Sequence, residues 1–156
     1  MDSLRGLTAL RNLSFQGSTA LQNVDGLKGM PVLGYLNLYG CTALKNVDGL
    51  SGMRSLRLLV LDNCTALQNL DGLKGLTEID NLGLESCKAL RNVDGLKSLT
   101  ALFRLHLDGC TALENVDGLM GLTGLFELSL SGCSKLSAES LAALKAALPH
   151  TEITGP

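Results

Sequence analysis

The chain has 156 residues, and its 13 basic and 15 acidic residues give a net charge of −2. This balance excludes the basic field that nucleic acids and anionic membranes attract, so neither is predicted as a partner. No apolar run reaches the length of a membrane span, and the N-terminus lacks the pattern of a signal peptide. Hydrophobic residues make up 46% of the chain but aromatic residues only 3%, which predicts an aliphatic core.

A 23-residue unit repeats six times without insertion or deletion. Each unit opens on an aspartate, and the series consists of Asp2, Asp25, Asp48, Asp71, Asp94 and Asp117. A fixed period of this length predicts a solenoid, in which each unit packs only against its neighbours. Equivalent side chains then form columns along the stack, at a spacing of about 4.8 Å.

Each unit is predicted to contain a short strand, a turn and a return segment. In the unit that opens at Asp25, Leu36 and Leu38 have the spacing of two that is typical of the inward face of a strand. The other apolar positions have a spacing of three, which fits 3₁₀ turns. We expect Asp25 to cap the turn that follows it through backbone N–H groups.

Two further columns are predicted to be structural. An odd number of cysteines at a single repeat position argues against a disulfide framework. We expect buried thiols that donate to turn carbonyls, in a reducing and therefore cytoplasmic compartment. The asparagines are expected to bond to the turn backbone or to one another. The columns are Cys41, Cys64, Cys87, Cys110 and Cys133, and Asn23, Asn46, Asn69, Asn92 and Asn115.

The period ends at Leu136. An N-cap region at Ser137 and an apolar face formed by three leucines predict a helix over about 138–148, which Pro149 ends. A short strand is expected near 152–154, with Ile153 inward. The chain therefore divides into repeats over 1–136 and a C-terminal cap over 137–156 that covers the last core face. Without a matching N-terminal cap, we expect the first face to be exposed or to pair with a second copy.

The pattern L-x-x-L-x-x-L-x-L-x-x-[N/C]-x-x-L, from about Leu4 to Leu136, resembles the leucine-rich repeat. The return that begins Gly26-Leu27 resembles the short subclass with 3₁₀ convex segments, and the turn at Gly132-Cys133 is similar to repeats of plant immune receptors. The resemblance implies an α/β repeat solenoid, curved into an arc. A parallel β-sheet would line the concave face, 3₁₀ or loop segments the convex side, and a helical cap the C-terminus. It also implies binding of proteins or peptides on the concave face.

The outward strand positions differ in every unit and are the only places that could specify a partner. One candidate patch is apolar and aromatic, a composition typical of contact surfaces. The second patch is charged, and the charges of its acidic and basic side chains are expected to compensate one another. The candidate binding residues are Tyr35, Tyr39, Leu58 and Val60 in the first patch, and Arg104, His106 and Asp108, beside Glu85, in the second.

His106, Asp108 and Ser129 supply the residue types of a base, a carboxylate and a nucleophile. An open sheet face without a pocket or an oxyanion hole argues against catalysis, so no enzyme is predicted. One histidine on the face gives too few ligands for zinc, and no cofactor or metal is expected.

The sequence predicts a non-enzymatic scaffold or protein-binding module. The uninterrupted period favours a designed or consensus-like scaffold without a selected ligand. A natural protein- or peptide-recognition module and a solenoid that self-associates through its N-terminal face are the alternatives.

Overall fold

The computed structural model describes residues 7–156, in which seven three-residue strands form one parallel sheet in chain order. Residues 23 positions apart pair across the repeat strands, as Leu36 does with Leu59. The predicted solenoid with a parallel sheet is confirmed. Asp2 and part of the N-terminal face lie outside the described residues. The strands are β1 (Asn12–Ser14), β2 (Tyr35–Asn37), β3 (Leu58–Val60), β4 (Asn81–Gly83), β5 (Arg104–His106), β6 (Glu127–Ser129) and β7 (Glu152–Thr154).

Short 3₁₀ helices form the return segments, as the spacing of three predicted. Each has the sequence Asp-Gly-Leu, with the leucine buried in the core. From the second helix onwards, a Cβ on the glycine would overlap the backbone of the preceding unit, so only glycine permits this stacking distance. The helices span Asp25–Leu27, Asp48–Leu50, Asp71–Leu73, Asp94–Leu96 and Asp117–Leu119.

The expectation that Asp25 caps its turn is wrong. The helix begins at Asp25 itself, so the N-cap residue is Val24, whose side chain makes no capping hydrogen bond. The carboxylate instead pairs with Lys28, three residues later, with 3.0 Å between Asp25 Oδ1 and Lys28 Nζ.

The asparagine column bonds to the turn backbone, as expected. Asn23 Oδ1 accepts a hydrogen bond from the Asp25 amide at 3.2 Å, and each of the four later asparagines accepts from the amide two residues after it.

A continuous aliphatic core runs through the stack, and it contains no buried polar or charged residue among those described. Leucines dominate it, and full burial of each contributes about 1.5–3 kcal/mol. Three leucines of the first unit, Leu10, Leu13 and Leu21, are only partly buried. Stacking therefore supplies the burial that a single unit lacks.

The cysteine column points into this core, as predicted. All five thiols are free and fully buried, and each donates to a strand-end carbonyl of the preceding unit at 3.2 Å. Cys64 Sγ, for example, donates to Leu38 O. Burial, partly opposed by backbone hydrogen bonding, raises the pKa of Cys64 and of Cys110 to about 12. The thiols are therefore held in their protonated form.

The chain ends in helix α1 (Ala138–Ala147), which lies where the sequence predicts a helix, and in β7. Ser137 Oγ accepts a hydrogen bond from the Ser140 amide at 3.1 Å. Leu144 and Leu148 are buried against the last repeat, and Ile153 of β7 packs against the core. Within residues 7–156, no helix combines the length and the apolar character needed to cross a membrane.

Candidate functional site

The outer face of the sheet contains a groove of about 840 Å³ centred on β4. Its position follows from the sequence of one strand, because β4 ends in Gly83 where the other repeat strands carry a side chain. The missing side chain lowers the floor of the groove. The lining residues are Tyr39, Asp62, Asn63, Asp80, Asn81, Leu82, Gly83, Glu85, Phe103, Arg104 and His106.

Asp62 occupies part of the space that Gly83 leaves. A Cβ on Gly83 would come within 2.8 Å of Asp62 Cγ, so the aspartate packs directly over the glycine. Asp62 Oδ1 accepts a hydrogen bond from the Glu85 amide at 2.8 Å. Two residues after β2 the equivalent amide, that of Tyr39, donates instead to Asn37 Oδ1 of its own unit at 2.9 Å. Because Gly83 has no side chain to accept from the Glu85 amide, the Asp62 carboxylate of the neighbouring unit accepts from it instead.

Two exposed aromatic side chains border the groove. Tyr39 is 43% exposed and Phe103 is 54% exposed. Phe103 stacks on Phe126 of the next unit, with ring centroids 5.1 Å apart and planes 7° from parallel. The Arg104 guanidinium carbon lies 5.9 Å from the centroid of the Phe103 ring. The groove therefore offers apolar contact area at the surface, where a partner could cover it.

The groove is acidic. Asp80 is paired with Arg57, whose Nη2 lies 3.0 Å from Asp80 Oδ2. Arg104 is paired with Glu127, with 3.1 Å between Arg104 Nε and Glu127 Oε2. No lysine or arginine pairs with Asp62 among residues 7–156. An anionic group therefore stands uncompensated beside the groove floor.

The charged patch predicted from the sequence is brought together around His106. Its Nδ1 lies 3.5 Å from Glu85 Oε1, and its Nε2 lies 3.2 Å from Glu127 Oε1. Ser129 Oγ donates to Asp108 Oδ1 at 2.6 Å. The serine hydroxyl thus donates to Asp108 and His106 Nε2 is hydrogen-bonded to Glu127, so no serine–histidine hydrogen bond of a nucleophile–base pair forms.

The two patches that the sequence predicted meet at the groove. Tyr39 from the first patch and Arg104 and His106 from the second all line it. The other members of the first patch, Tyr35, Leu58 and Val60, lie beside the groove on β2 and β3 and are partly buried. Asp108 is also partly buried and follows β5. Most of the apolar patch therefore lies beside the groove and does not line it.

Sequence reasoning missed Asp62, Gly83 and Phe103 as groove residues. Gly83 carries a usable signal, because it is the only glycine at that strand position in the six units. Phe103 and Phe126 are 23 residues apart, so the period predicts that they are neighbours. The contact of the Asp62 side chain with Gly83 cannot be predicted from the period, since it depends on how one side chain fills a local gap.

Comparison with solved structures finds the same architecture in several proteins. Internalin C2 from Listeria monocytogenes matches 99% of the chain with a TM-score of 0.67 and 24% identity. The leucine-rich repeat domain of the type III effector XopL matches 100% of it, with a TM-score of 0.61 and 20% identity. The plant peptide hormone receptor RGFR1, in complex with RGF2, matches 95% of it, with a TM-score of 0.53 and 14% identity.

The chain spans 66%, 64% and 28% of the lengths of these three structures. No protein-family model matches the sequence, and comparison with curated proteins gives no match. The period, the parallel sheet, the 3₁₀ returns and the structural neighbours agree on one architecture. The chain has the leucine-rich-repeat fold.

Proposed function

We propose that the chain is a non-enzymatic binding module that takes a protein or peptide segment in the groove of its concave face. The observation that carries the proposal is the groove itself, a concavity of about 840 Å³ bordered by the exposed rings of Tyr39 and Phe103. Aromatic side chains that are exposed in the free protein and can be buried by a partner dominate the energy of many interfaces. The structure of a plant receptor with its peptide hormone, on the same fold, is consistent with this role.

The charge of the groove favours a partner with a lysine or arginine side chain. Asp62 has no cationic partner among the described residues, and its carboxylate lies at the groove floor beside Gly83. A basic side chain could place its charge at Asp62 and its methylene groups against the aromatic rings. Complementary charge of this kind contributes more to specificity and association rate than to affinity.

Selection from a random-peptide library on the immobilised protein tests the proposal. Binders are then measured by calorimetry against the parent chain, Tyr39→Ser and Phe103→Ser. We expect at least one of these substitutions to weaken binding about 30-fold, the equivalent of a 2 kcal/mol hot spot. Arg91→Ser, an exposed substitution outside the groove, is the matched control. Retained affinity in both groove variants would place the binding surface elsewhere.

Asp62→Asn tests the preference for a basic partner. The substitution removes the charge but leaves an oxygen to accept from the Glu85 amide, so the fold is preserved. A surface ion pair is worth about 0.2–1 kcal/mol, so affinity should fall up to about fivefold and should lose part of its salt dependence. Selected peptides without basic residues, or an unchanged salt dependence, would reject this part of the proposal.

The second candidate function is that of a consensus-like or engineered scaffold without a selected ligand. The uniformity of the stack supports it, because the thiol–carbonyl distance is 3.2 Å in all five units that carry the cysteine. Such a scaffold should retain no peptide specifically.

Association through the N-terminal face remains a third proposal, and light scattering tests it: a strict monomer at high concentration would reject it.

A further inference from the structure

The cluster around His106 holds more than compensating charges. Glu85, His106 and Asp108 each present one ligand atom, and these atoms all lie within 4.8 Å of one another. We propose that these three side chains form a binding site for a divalent transition-metal ion, with Zn²⁺ as the best-matched ion. The inference is independent of peptide binding, since it rests on the donor set alone.

The repeat period creates this arrangement. Glu85 and Asp108 are 23 residues apart, so they are equivalent residues of neighbouring units. His106 precedes Asp108 by two residues and therefore lies on the same face of the sheet. Sequence reasoning rejected zinc because the face carries a single histidine. The stacked carboxylates of Glu85 and Asp108 supply the two further ligands.

The hydrogen bonds outside the three ligands orient them. Glu127 Oε1 lies 3.2 Å from His106 Nε2, and Ser129 Oγ donates to Asp108 Oδ1 at 2.6 Å. A hydrogen on Nε2 that is donated to Glu127 leaves the lone pair of Nδ1 facing Glu85 Oε1 across 3.5 Å. Two acceptors then face each other, and a cation between them removes the repulsion. A carboxylate behind a metal-binding histidine is a common second-shell arrangement.

The donor set suits zinc better than the alkaline-earth ions. Imidazole is a ligand for zinc, copper and nickel, whereas Ca²⁺ and Mg²⁺ prefer sites built from oxygen alone. Zinc–ligand distances of about 2.0–2.2 Å place the ligand atoms of a tetrahedral site about 3.3–3.6 Å apart. His106 and Glu85 already meet that separation. Three protein ligands leave a fourth position, and both His106 and Glu85 line the groove, so this position is open to water or to a partner.

The five thiols do not compete for the ion in the folded chain. Each is fully buried and donates its hydrogen to a backbone carbonyl. A thiolate is the form that binds zinc, and burial opposes its formation. His150, the second histidine of the chain, is exposed after α1 and belongs to a different surface. It therefore offers a matched control.

Calorimetric titration of the chelator-stripped protein with Zn²⁺ tests the proposal. We expect saturable binding of one ion per chain, abolished by His106→Ala and unchanged by His150→Ala. Glu127→Ala should weaken binding about 10–100-fold, because Glu127 orients the ligand without touching the ion. Circular dichroism checks that each variant folds. No saturable binding, or equal binding by His106→Ala, would overturn the site.

Cobalt substitution identifies the ligands directly. Co²⁺ bound by nitrogen and oxygen should show ligand-field absorption without a thiolate-to-metal charge-transfer band. A charge-transfer band would assign the ion to the cysteine column and overturn the proposal. Titration with Ca²⁺ and Mg²⁺ should give much weaker binding, and tight Ca²⁺ binding that survives His106→Ala would also contradict it.

Discussion

At the scale of single residues, the turn after each strand requires a left-handed backbone. Four units place glycine there, with φ between 69° and 77°. The remaining two units place Asn63 and Ser86, with φ of 60° and 59°. A side chain in this region costs about 1–2 kcal/mol for most residues, and less for asparagine. Ser86 therefore adopts a left-handed conformation that is costly for its residue type, whereas most units place glycine at this position.

Ser86→Gly should therefore stabilise the protein. The relief of left-handed strain exceeds the entropy that glycine loses on folding, for a net gain of about 0.5–1 kcal/mol. Asn63→Gly should gain less. Urea unfolding followed by circular dichroism measures both. As the reverse control, Gly109→Ala should destabilise the chain, and a lower urea midpoint for Ser86→Gly would contradict the account.

The buried thiols predict a loss of stability in alkali. Burial raises the pKa of Cys64 from 9.0 to about 12 in the folded state. The thiol's contribution is therefore fully present below pH 9.0 and is lost as the pH rises towards 12, because the unfolded chain ionises first. The first pH unit above 9.0 should cost about 1 kcal/mol for this thiol.

The comparison of the parent chain with Cys64→Ala isolates this effect. Other groups that titrate in alkali, such as the lysines, contribute equally to both proteins and cancel in the difference. The free energy of unfolding of the parent chain should fall further, by about 1 kcal/mol over that pH unit. The same alkaline loss in both proteins would show that the thiol ionises as easily folded as unfolded.

At the scale of elements, the 3₁₀ returns set how closely the units stack. A Cβ on Gly118 would overlap the carbonyl group of Val93, which directly precedes the neighbouring 3₁₀ helix, whereas a Cβ on Gly121 would meet nothing within 4 Å. Gly118→Ala should therefore cost about 1–3 kcal/mol or more through overpacking, and Gly121→Ala very little. Thermal unfolding of the two variants, three residues apart, checks this. Equal melting temperatures would mean that the stack is looser than the structure shows.

Periodicity predicts elements better than it predicts side-chain contacts. The register of the strands and the inward thiols followed from spacing, because both depend only on position within the unit. The role of Asp25 did not, since a shift of one residue in the helix start makes Val24 the N-cap. Asp62 shows the same limit at the groove. Its contact with Gly83 arises where one unit differs from the others, and a repeat pattern carries no information about such a difference.

At the scale of the whole molecule, helix α1 packs against the last 3₁₀ helix of the stack. Leu144 of α1 is fully buried. Leu144→Ala should cost about 2–5 kcal/mol and lower the urea midpoint of the whole array, because the units are coupled through their interfaces. Lys145→Ala, exposed on the same helix, is the control. A second transition confined to the last unit, with the main one unchanged, would contradict this coupling.

The outward strand residues distinguish the units from one another, and we propose that a partner binds in the groove that they line. The most direct test is a map of amide chemical shifts as a selected peptide is titrated into the labelled protein. We expect saturable shifts concentrated at Tyr39, Gly83 and His106, with the 3₁₀ returns unchanged. Shifts concentrated at the 3₁₀ returns or at α1 would show that the partner binds a different surface, and would contradict the assignment of function to the concave face.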